Sequence, residues 1–408
     1  MIELNLEEEK QEKLGACLKV IGIGGAGGNA VNSMVMSGEL NAVEFIVANT
    51  DAQALTMSKV ENRIQLGTKI TKGLGTGSNP DIGRRSAEED LENILSKISG
   101  TDILFLTAGL GGGTGSGALP VIAKAAKEMG ILTVAVVTKP FSFEGKKRSA
   151  QAQEALSILK DGAVDTMIVV PNQKLLERAD PKISMLDAFA MSDDVLKQAV
   201  RGISDIITKA GHINVDFADV KSIMKDMGMS IMGTGRAEGE DRARQACFKA
   251  ISSPLLEDVS IQGAKGILIN ITGNIDLGLH EINEAASLVH DMVSEDAEII
   301  LGSVIDPSIG NEIMITVIAT GFETEKNLQD SRTHVSPKIC ADKKEPVEKK
   351  QEISMVSSEN LVDNSFDMKD LDTPTFLRKQ AEEQLLKSIE IKNISPESND
   401  DLAKQALE

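Results

Sequence analysis

The chain has 408 residues, which is long enough to bury two hydrophobic cores and to leave a tail. Its 62 acidic and 43 basic residues give a net charge of −19, and it contains neither Trp nor Tyr. These numbers argue against a nucleic-acid partner, because such a protein needs a basic surface or aromatic side chains on which bases stack. The three cysteines lack the spacing of a zinc site or a disulfide framework, which favours a reducing compartment such as the cytoplasm.

Residues 1–14 are acidic and favour a helix, and we predict that they form a flexible segment. A secretory signal would instead carry basic residues followed by an apolar run. No stretch of the sequence approaches the roughly 20 apolar residues of a membrane helix. The sequence therefore predicts a cytoplasmic protein without direct membrane insertion.

Short apolar runs rich in β-branched residues alternate with helical patterns over the first half of the chain. Such alternation predicts an α/β fold in which helices cover both faces of a parallel sheet. Ligands bind such sheets at the carboxyl ends of the strands. The predicted strands cover residues 18–23, 44–48, 103–108, 132–138 and 166–170.

Two glycine-rich turns follow predicted strands and open helical patterns: residues 22–28 (GIGGAGG) and residues 109–117 (GLGGGTGSG). Glycine lets the backbone approach a phosphate closely, and the unpaired amides at a helix start point toward negative charge. Neither turn has the lysine of a P-loop, so the phosphates would be held by backbone dipoles, by hydroxyls such as those of Thr114 and Ser116, and by Mg²⁺. The pair of turns predicts a nucleotide site.

The first turn alone leaves the class of nucleotide open. Gly22, Gly24 and Gly27 satisfy G-x-G-x-x-G after a strand, and Asp51 lies downstream. This arrangement also fits an NAD-dependent Rossmann enzyme, or a tight turn with no ligand.

Residues 187–210 form one long amphipathic pattern, with a capping Ser184 before it and Gly211 as a plausible stop. A helix of 24 residues spans roughly 36 Å. After it, a smaller α/β domain is predicted, with a helix over residues 279–294. Its predicted strands cover residues 266–272, 298–305 and 312–319.

The predicted tail begins after residue 320. Residues 321–369 are polar and charged and are predicted to be disordered, because they cannot bury enough apolar surface to offset the entropy of ordering. A short apolar island at 370–380 (DLDTPTFLRKQ) follows, and 381–408 form a charged, variable tail. The folded part divides into a nucleotide domain over 15–186, a central helix over 187–211 and a second domain over 212–320.

The segment GGGTGSG at residues 111–117 resembles the signature of the tubulin and FtsZ superfamily. Further segments resemble the successive nucleotide and catalytic loops of the FtsZ family in family order, and the island resembles that family's partner-binding peptide. The resemblance covers residues 15–320 and the island, and it implies a tubulin-like fold with a GTP-binding domain. The matching segments are ANTD at 48–51, GLGTGSNP at 73–80, PFSFEG at 140–145, LDAF at 186–189 and NVDFADV at 214–220.

The resemblance implies a site for GTP or GDP with Mg²⁺. Glu144, Arg148 and Asn172 would contact the ribose or phosphates, and Asn29, Phe189 and Asp193 would enclose the guanine. Ser33 departs from the family, since many relatives have a basic residue there. Asn49 is a further implied nucleotide contact. The residues implied to hold the phosphates are Gly24, Gly25, Ala26, Gly27, Gly28, Gly111, Gly112, Gly113, Thr114 and Gly115.

The chemistry of Phe189 and Asp193 agrees with the guanine contacts that the resemblance implies. Phe189 and Asp193 are four apart on one helical face, so a stacking ring would lie beside a carboxylate that can accept from guanine N1 and N2. Adenine has no such donor pair. The alternative is that Phe189 belongs to the core and that Asp193 is solvated.

The resemblance also implies that Asn214, Asp216 and Asp219 are catalytic. Such groups could orient and polarise a water at a γ-phosphate, although the same segment reads as a loop that enters a helix with an Asp cap. The long helix would hold these groups roughly 35 Å from Phe189, so one molecule could not use both. We therefore predict head-to-tail filaments in which the acids act in trans.

The family further implies a role in bacterial division at mid-cell. Residues 370–380 would bind membrane-adaptor and regulatory proteins there. A tubulin-like scaffold that binds nucleotide without hydrolysis remains the alternative.

Overall fold

A computed structural model describes residues 15–177, 179–209, 211–253, 255 and 261–322. The predictions for residues 1–14 and for the tail beyond residue 322 lie outside these ranges. All of the strands and helices below fall within one compact unit. Among the described residues, no helix is both long and apolar enough to cross a membrane.

Ten strands and twelve helices alternate along the described residues, apart from short 3-10 and π turns. The strands are β1 Leu18–Ile23, β2 Val43–Asn49, β3 Asn62–Gln65, β4 Ile103–Gly109, β5 Leu132–Lys139, β6 Thr166–Pro171, β7 Gly228–Ala237, β8 Gly266–Gly273, β9 Glu298–Ile305 and β10 Ile313–Thr320. The helices are α1 Gly24–Ser37, α2 Ala52–Met57, α3 Thr68–Thr71, α4 Pro80–Glu89, α5 Leu91–Ile98, α6 Gly113–Glu128, α7 Lys146–Ile158, α8 Asn172–Glu177, α9 Met185–Thr208, α10 Phe217–Met224, α11 Arg242–Ile251 and α12 Leu279–His290.

The strands form one sheet in the order β3-β2-β1-β4-β5-β6-β7-β10-β8-β9. Neighbours from β3 through β7 are parallel, whereas β10 runs antiparallel to both β7 and β8. The two halves meet where β6 pairs with β7 over only three residues, Thr166–Ile168 with Gly228–Ser230. A mixed α/β sheet of this kind confirms the predicted fold class, and a continuous sheet runs through both predicted domains.

Helix α9 packs on one face of the sheet and contacts both halves. Its buried residues Leu196, Val200 and Ile203 share a core with β1, β4 and β5 and also with Leu268 of β8. At Gly202 the helix approaches the second half so closely that a Cβ would lie 2.8 Å from the Thr316 methyl carbon. The helix is therefore a packing element common to both halves.

The limits of α9 differ slightly from the prediction. It starts at Met185, with the Ser184 hydroxyl accepting from the Asp187 amide at 3.1 Å as predicted. It ends at Thr208, before Gly211, because Lys209 already has extended backbone angles. The helix predicted over 279–294 also stops early, at His290.

Two strands were not predicted. β3 is short and carries Ile64 as its single apolar residue. β7 contains glycines at 228, 233 and 235, which weaken a strand pattern. At Gly235 a Cβ would lie 2.0 Å from the Ala246 oxygen, so glycine allows α11 to pack directly on the strand.

Candidate nucleotide site

The two glycine turns lie side by side because β1 and β4 are parallel neighbours whose carboxyl ends meet. A Cβ on Gly24 would lie 3.1 Å from the Gly115 nitrogen, and one on Gly109 would lie 2.6 Å from the Ala26 Cβ. Only small residues permit this contact. α1 begins at Gly24 and α6 at Gly113, and neither start has a side-chain cap or an acidic residue in its first turn. Both helix starts therefore present amides that can donate to an anion.

The turns form one wall of a cavity of about 490 Å³ at the carboxyl ends of the strands. Thirteen of the seventeen residues predicted to bind nucleotide line this cavity. They are Gly24, Gly25, Ala26, Asn49, Gly112, Gly113, Thr114, Gly115, Glu144, Arg148, Asn172, Phe189 and Asp193.

One face of α9 closes the far end of the cavity. Phe189, Ser192, Asp193 and Leu196 recur at helical spacing and all line it. The Phe189 ring meets the buried Phe141 ring edge to face, with centroids 5.3 Å apart, which fixes its orientation. Burial raises the pKa of Asp193 to about 6. This end thus offers a flat ring and a poorly solvated carboxylate.

The side of the cavity between β5 and β6 is polar. Glu144 accepts from the Phe141 amide at 2.9 Å and pairs with Arg148 one turn along the chain. Asn172, at the start of α8, is 4% exposed, and its Oδ1 has no hydrogen-bond partner among the described residues. A buried amide oxygen without a partner costs free energy unless a ligand or water donates to it. A sugar hydroxyl would be a suitable donor.

Four predicted residues do not line this cavity. Gly28 and Asn29 line a smaller adjoining cavity of about 340 Å³ beside α2, which shares Gly24 and Gly25 with the first cavity. Gly27 is buried, since a Cβ there would lie 2.3 Å from the Thr107 oxygen. Gly111 has φ +98° and packs against the Arg148 backbone. These glycines shape the two turns, and the assignment of Asn29 to the base stays a prediction.

Several residues that line the larger cavity were not predicted to bind nucleotide, although the segments that contain them match the family. Thr50 and Asp51 follow β2, and Gly75, Thr76 and Ser78 belong to the loop before α4. The match of the segments ANTD and GLGTGSNP to the family could therefore have predicted these lining residues.

The charges of the lining are mainly negative. Asp51, Glu144 and Asp193 oppose the single guanidinium of Arg148. Phosphates in this cavity would therefore depend on helix dipoles and on a cation. The described residues contain no group of three His, Cys, Asp or Glu that could hold a metal alone. Mg²⁺ usually combines phosphate oxygens and waters with one or two carboxylates, and Asp51 fits that role.

The predicted catalytic residues lie together beyond the other end of α9. Asn214 Oδ1 accepts from the Gly211 amide at 2.9 Å and stabilises the turn after the helix. Asp216 caps α10 by accepting from the Asp219 amide at 2.8 Å, and Asp219 occupies the first turn. All three are exposed. Because Phe189 lies near the start of a helix that spans roughly 36 Å, the structure keeps these residues apart from the base end of the cavity.

The fold and the cavity define a nucleotide-binding α/β protein whose second lobe is joined by a central helix. Comparison with known proteins identifies the family. The family model "Tubulin/FtsZ family, GTPase domain" matches residues 17–180, and "FtsZ family, C-terminal domain" matches residues 228–323. An FtsZ dimer from M. jannaschii is 44% identical, covers 76% of this chain and 89% of its own, and has a TM-score of 0.72. The chain belongs to the tubulin/FtsZ family of GTPases.

Two more distant structures share the fold alone. CetZ2 from Haloferax volcanii, a GTPγS-bound protofilament, is 22% identical with a TM-score of 0.63, over 78% of this chain and 97% of that one. CetZ1 from the same organism, a GDP-bound monomer, is 23% identical with a TM-score of 0.66, over 77% and 97%. Family membership implies a guanine nucleotide and confirms the predicted superfamily.

Proposed function

We propose that this chain binds GTP, assembles head to tail into cytoplasmic filaments, and hydrolyses GTP with acidic residues supplied by the adjacent subunit. The observation that carries the proposal is the cavity in which two glycine turns face a ring and a carboxylate on α9. The turns suit phosphates, Asn172 suits the sugar, and Phe189 with Asp193 suits guanine. Mg²⁺, when bound with the nucleotide, would neutralise phosphate charge.

Assembly follows from the separation of the two ends. Asn214, Asp216 and Asp219 cannot reach the cavity of their own chain past α9, but they can reach that of a neighbour stacked on it. Leu74 and Leu186 beside the cavity are 88% and 82% exposed, which suits a surface that another subunit covers. A heterologous contact that does not close produces a filament. Two relatives, an FtsZ dimer and a CetZ2 protofilament, are themselves assemblies and support self-association.

The first experiment measures phosphate release and sedimentation together against protein concentration, with GTP and Mg²⁺. Both should begin at the same threshold, because only stacked subunits have complete sites. Hydrolysis that is proportional to concentration from zero would contradict the proposal. NAD in place of GTP should give neither binding nor assembly.

A mixing experiment tests catalysis in trans. Asp219→Ala keeps the cavity and removes an acid, whereas Gly25→Asp puts a negative charge into the phosphate cradle at a position with nothing within 4 Å. Each variant alone should be inactive. A 1:1 mixture should recover up to about a quarter of wild-type turnover, since one contact in four joins an intact cavity to intact acids. No recovery would indicate catalysis within one chain.

The cellular role is proposed from the family. Filaments at mid-cell would act in division, with residues 370–380 binding membrane-adaptor and regulatory proteins through apolar anchors such as Phe376. A fluorescent fusion should form a band at mid-cell, and the lifetime of this band should change in Asp219→Ala. Removal of 370–380 should release the band from the membrane without changing GTP hydrolysis. A non-hydrolysing scaffold would show GTP-dependent sedimentation without phosphate release.

A further inference from the structure

Thr50 follows β2 and is fully buried, at 0% exposure. Its hydroxyl lies 2.7 Å from the hydroxyl of Thr114, in the first turn of α6. Its carbonyl accepts from the Gly75 amide and from the Thr71 hydroxyl, both at 3.3 Å. One residue therefore binds two walls of the cavity, the second glycine turn through its side chain and the loop 71–79 through its main chain.

The loop 71–79 has an unusual backbone. Lys72 and Ser78 have φ of +53° and +62°, which non-glycine residues rarely adopt, and glycines at 73, 75 and 77 are also positive. Such a conformation persists only where its surroundings hold it. Thr50 and Thr71 hold one end, and Gln151 Nε2 donates to the Ser78 carbonyl at 3.1 Å near the other. The loop is thus sensitive to its contacts.

We propose that Thr50 is a positioning residue that couples the Thr114 hydroxyl to the loop 71–79 and so lets the cavity distinguish GTP from GDP. The inference rests on the proposed function. Each hydroxyl has one proton to donate. If Thr114 donates to a phosphate oxygen, then Thr50 must donate to Thr114, which polarises the pair. When no terminal phosphate accepts from Thr114, the direction of the bond is free to reverse.

The test compares Thr50→Val, which removes the hydroxyl and keeps the shape, with Thr50→Ser, which keeps the hydroxyl. Calorimetry gives the dissociation constants of GDP and of a non-hydrolysable GTP analogue with a methylene bridge. Thr50→Val should lower the preference for the triphosphate about three- to tenfold, the effect of one buried hydrogen bond. Thr50→Ser should stay near wild type. Thr101→Val, a buried threonine before β4 whose hydroxyl has no partner among the described residues, is the matched control.

Hydrogen exchange of the amides in 71–79 gives a readout that a purely structural role would not change. In the wild type the triphosphate analogue should protect these amides more than GDP does, and Thr50→Val should abolish that difference. If Thr50→Val does not fold, Thr50→Cys, which replaces the hydroxyl by a weak thiol donor, takes its place.

The inference fails if Thr50→Val keeps both the wild-type preference and the exchange difference, or if Thr50→Ser loses them. Failure of the proposed function is a separate result, because the wild type would then bind neither guanine nucleotide.

Discussion

The two ends of α9 are built by different means. At the nucleotide end, glycine backbones pack against each other, and the lining is set by where parallel strands stop. At the acidic end, three exposed side chains lie between the end of α9 and the first turn of α10, and two of them also stabilise that segment. The first end is specified by close packing within the chain. In the function proposed above, the second becomes a catalytic site only when another molecule covers it, so its residue types indicate its role and its packing within the chain does not.

The comparison depends first on α9 as a rigid connection. Arg201, buried in this helix, pairs with Asp205 at 3.1 Å, with Glu39 at 2.8 Å and with Asp306 at 2.9 Å. Glu39 lies before β2 and Asp306 follows β9, so the cluster joins both halves of the sheet to the helix. Arg201→Met should lower the free energy of unfolding by about 3–5 kcal/mol, because it leaves Asp205, which is 2% exposed, with Lys209 as its one remaining charged partner among the described residues. Denaturant titration measures the loss.

The matched control is Arg84→Met, which breaks an exposed pair with Glu88 on α4. It should change stability by less than about 1 kcal/mol. Equal effects of the two substitutions would show that the buried cluster does not stabilise the connection. The rigid separation of the two ends would then lose its main support.

Asp219→Asn should reduce GTP turnover about a hundredfold, because a neutral amide cannot polarise water as a carboxylate does. GTP affinity and thermal stability should be unchanged, since the Asp219 amide that Asp216 caps is kept. Phosphate release with sedimentation as a parallel assay measures the effect. Glu240→Gln, an exposed acid before α11, is the control and should retain full turnover. A loss of nucleotide affinity in Asp219→Asn would place this residue in the binding site of its own chain.

The same contrast explains what the sequence could predict. Strands β1 and β9 were predicted to the residue, and both glycine turns open helices as predicted, because apolar runs and glycines are local signals. β7 was missed because its glycines serve the packing of α11, which no local pattern reports. Thr50 was missed for a similar reason, since its partner Thr114 is 64 residues away. Asn29 was assigned to the base by resemblance alone, and this assignment stays a prediction, since Asn29 lines the adjoining cavity.

The base end can be tested by pH. Burial raises the pKa of Asp193 to about 6, and guanine requires its charged form as an acceptor. GTP affinity should therefore fall by up to tenfold per unit as the pH drops below about 6, since binding must then release a proton. Asp193→Asn should bind weakly at every pH and should show no such fall. Fluorescence titration with a labelled GTP from about pH 5 to 8 measures it.

The stability of the unliganded protein should respond with the opposite sign. Because the pKa of Asp193 is about 6 when folded and near 3.8 when unfolded, the folded state binds more protons between these values. The contribution of Asp193 to the free energy of unfolding therefore declines as the pH rises from about 4 to 6. Between these pH values, the free energy of unfolding of the wild type should fall by about 1–2 kcal/mol relative to that of Asp193→Asn, which lacks the titrating group. A parallel pH dependence in both would exclude a buried, titrating Asp193.

The smallest expected effect separates glycines that the fold needs from glycines that it tolerates. Gly28 lies in the first turns of α1, and a Cβ added there would meet nothing within 4 Å, whereas Gly27 abuts the Thr107 oxygen. Gly28→Ala should stabilise the protein by about 0.5–1 kcal/mol, because alanine favours the helix, and Gly27→Ala should destabilise it. Thermal unfolding of the two variants measures both changes. Because Gly28 lines only the adjoining cavity, GTP affinity should change little in Gly28→Ala. A large loss of GTP affinity with the stability gain intact would show that Gly28 also contacts the phosphates. The nucleotide end would then include a residue of the first glycine turn that does not line the larger cavity.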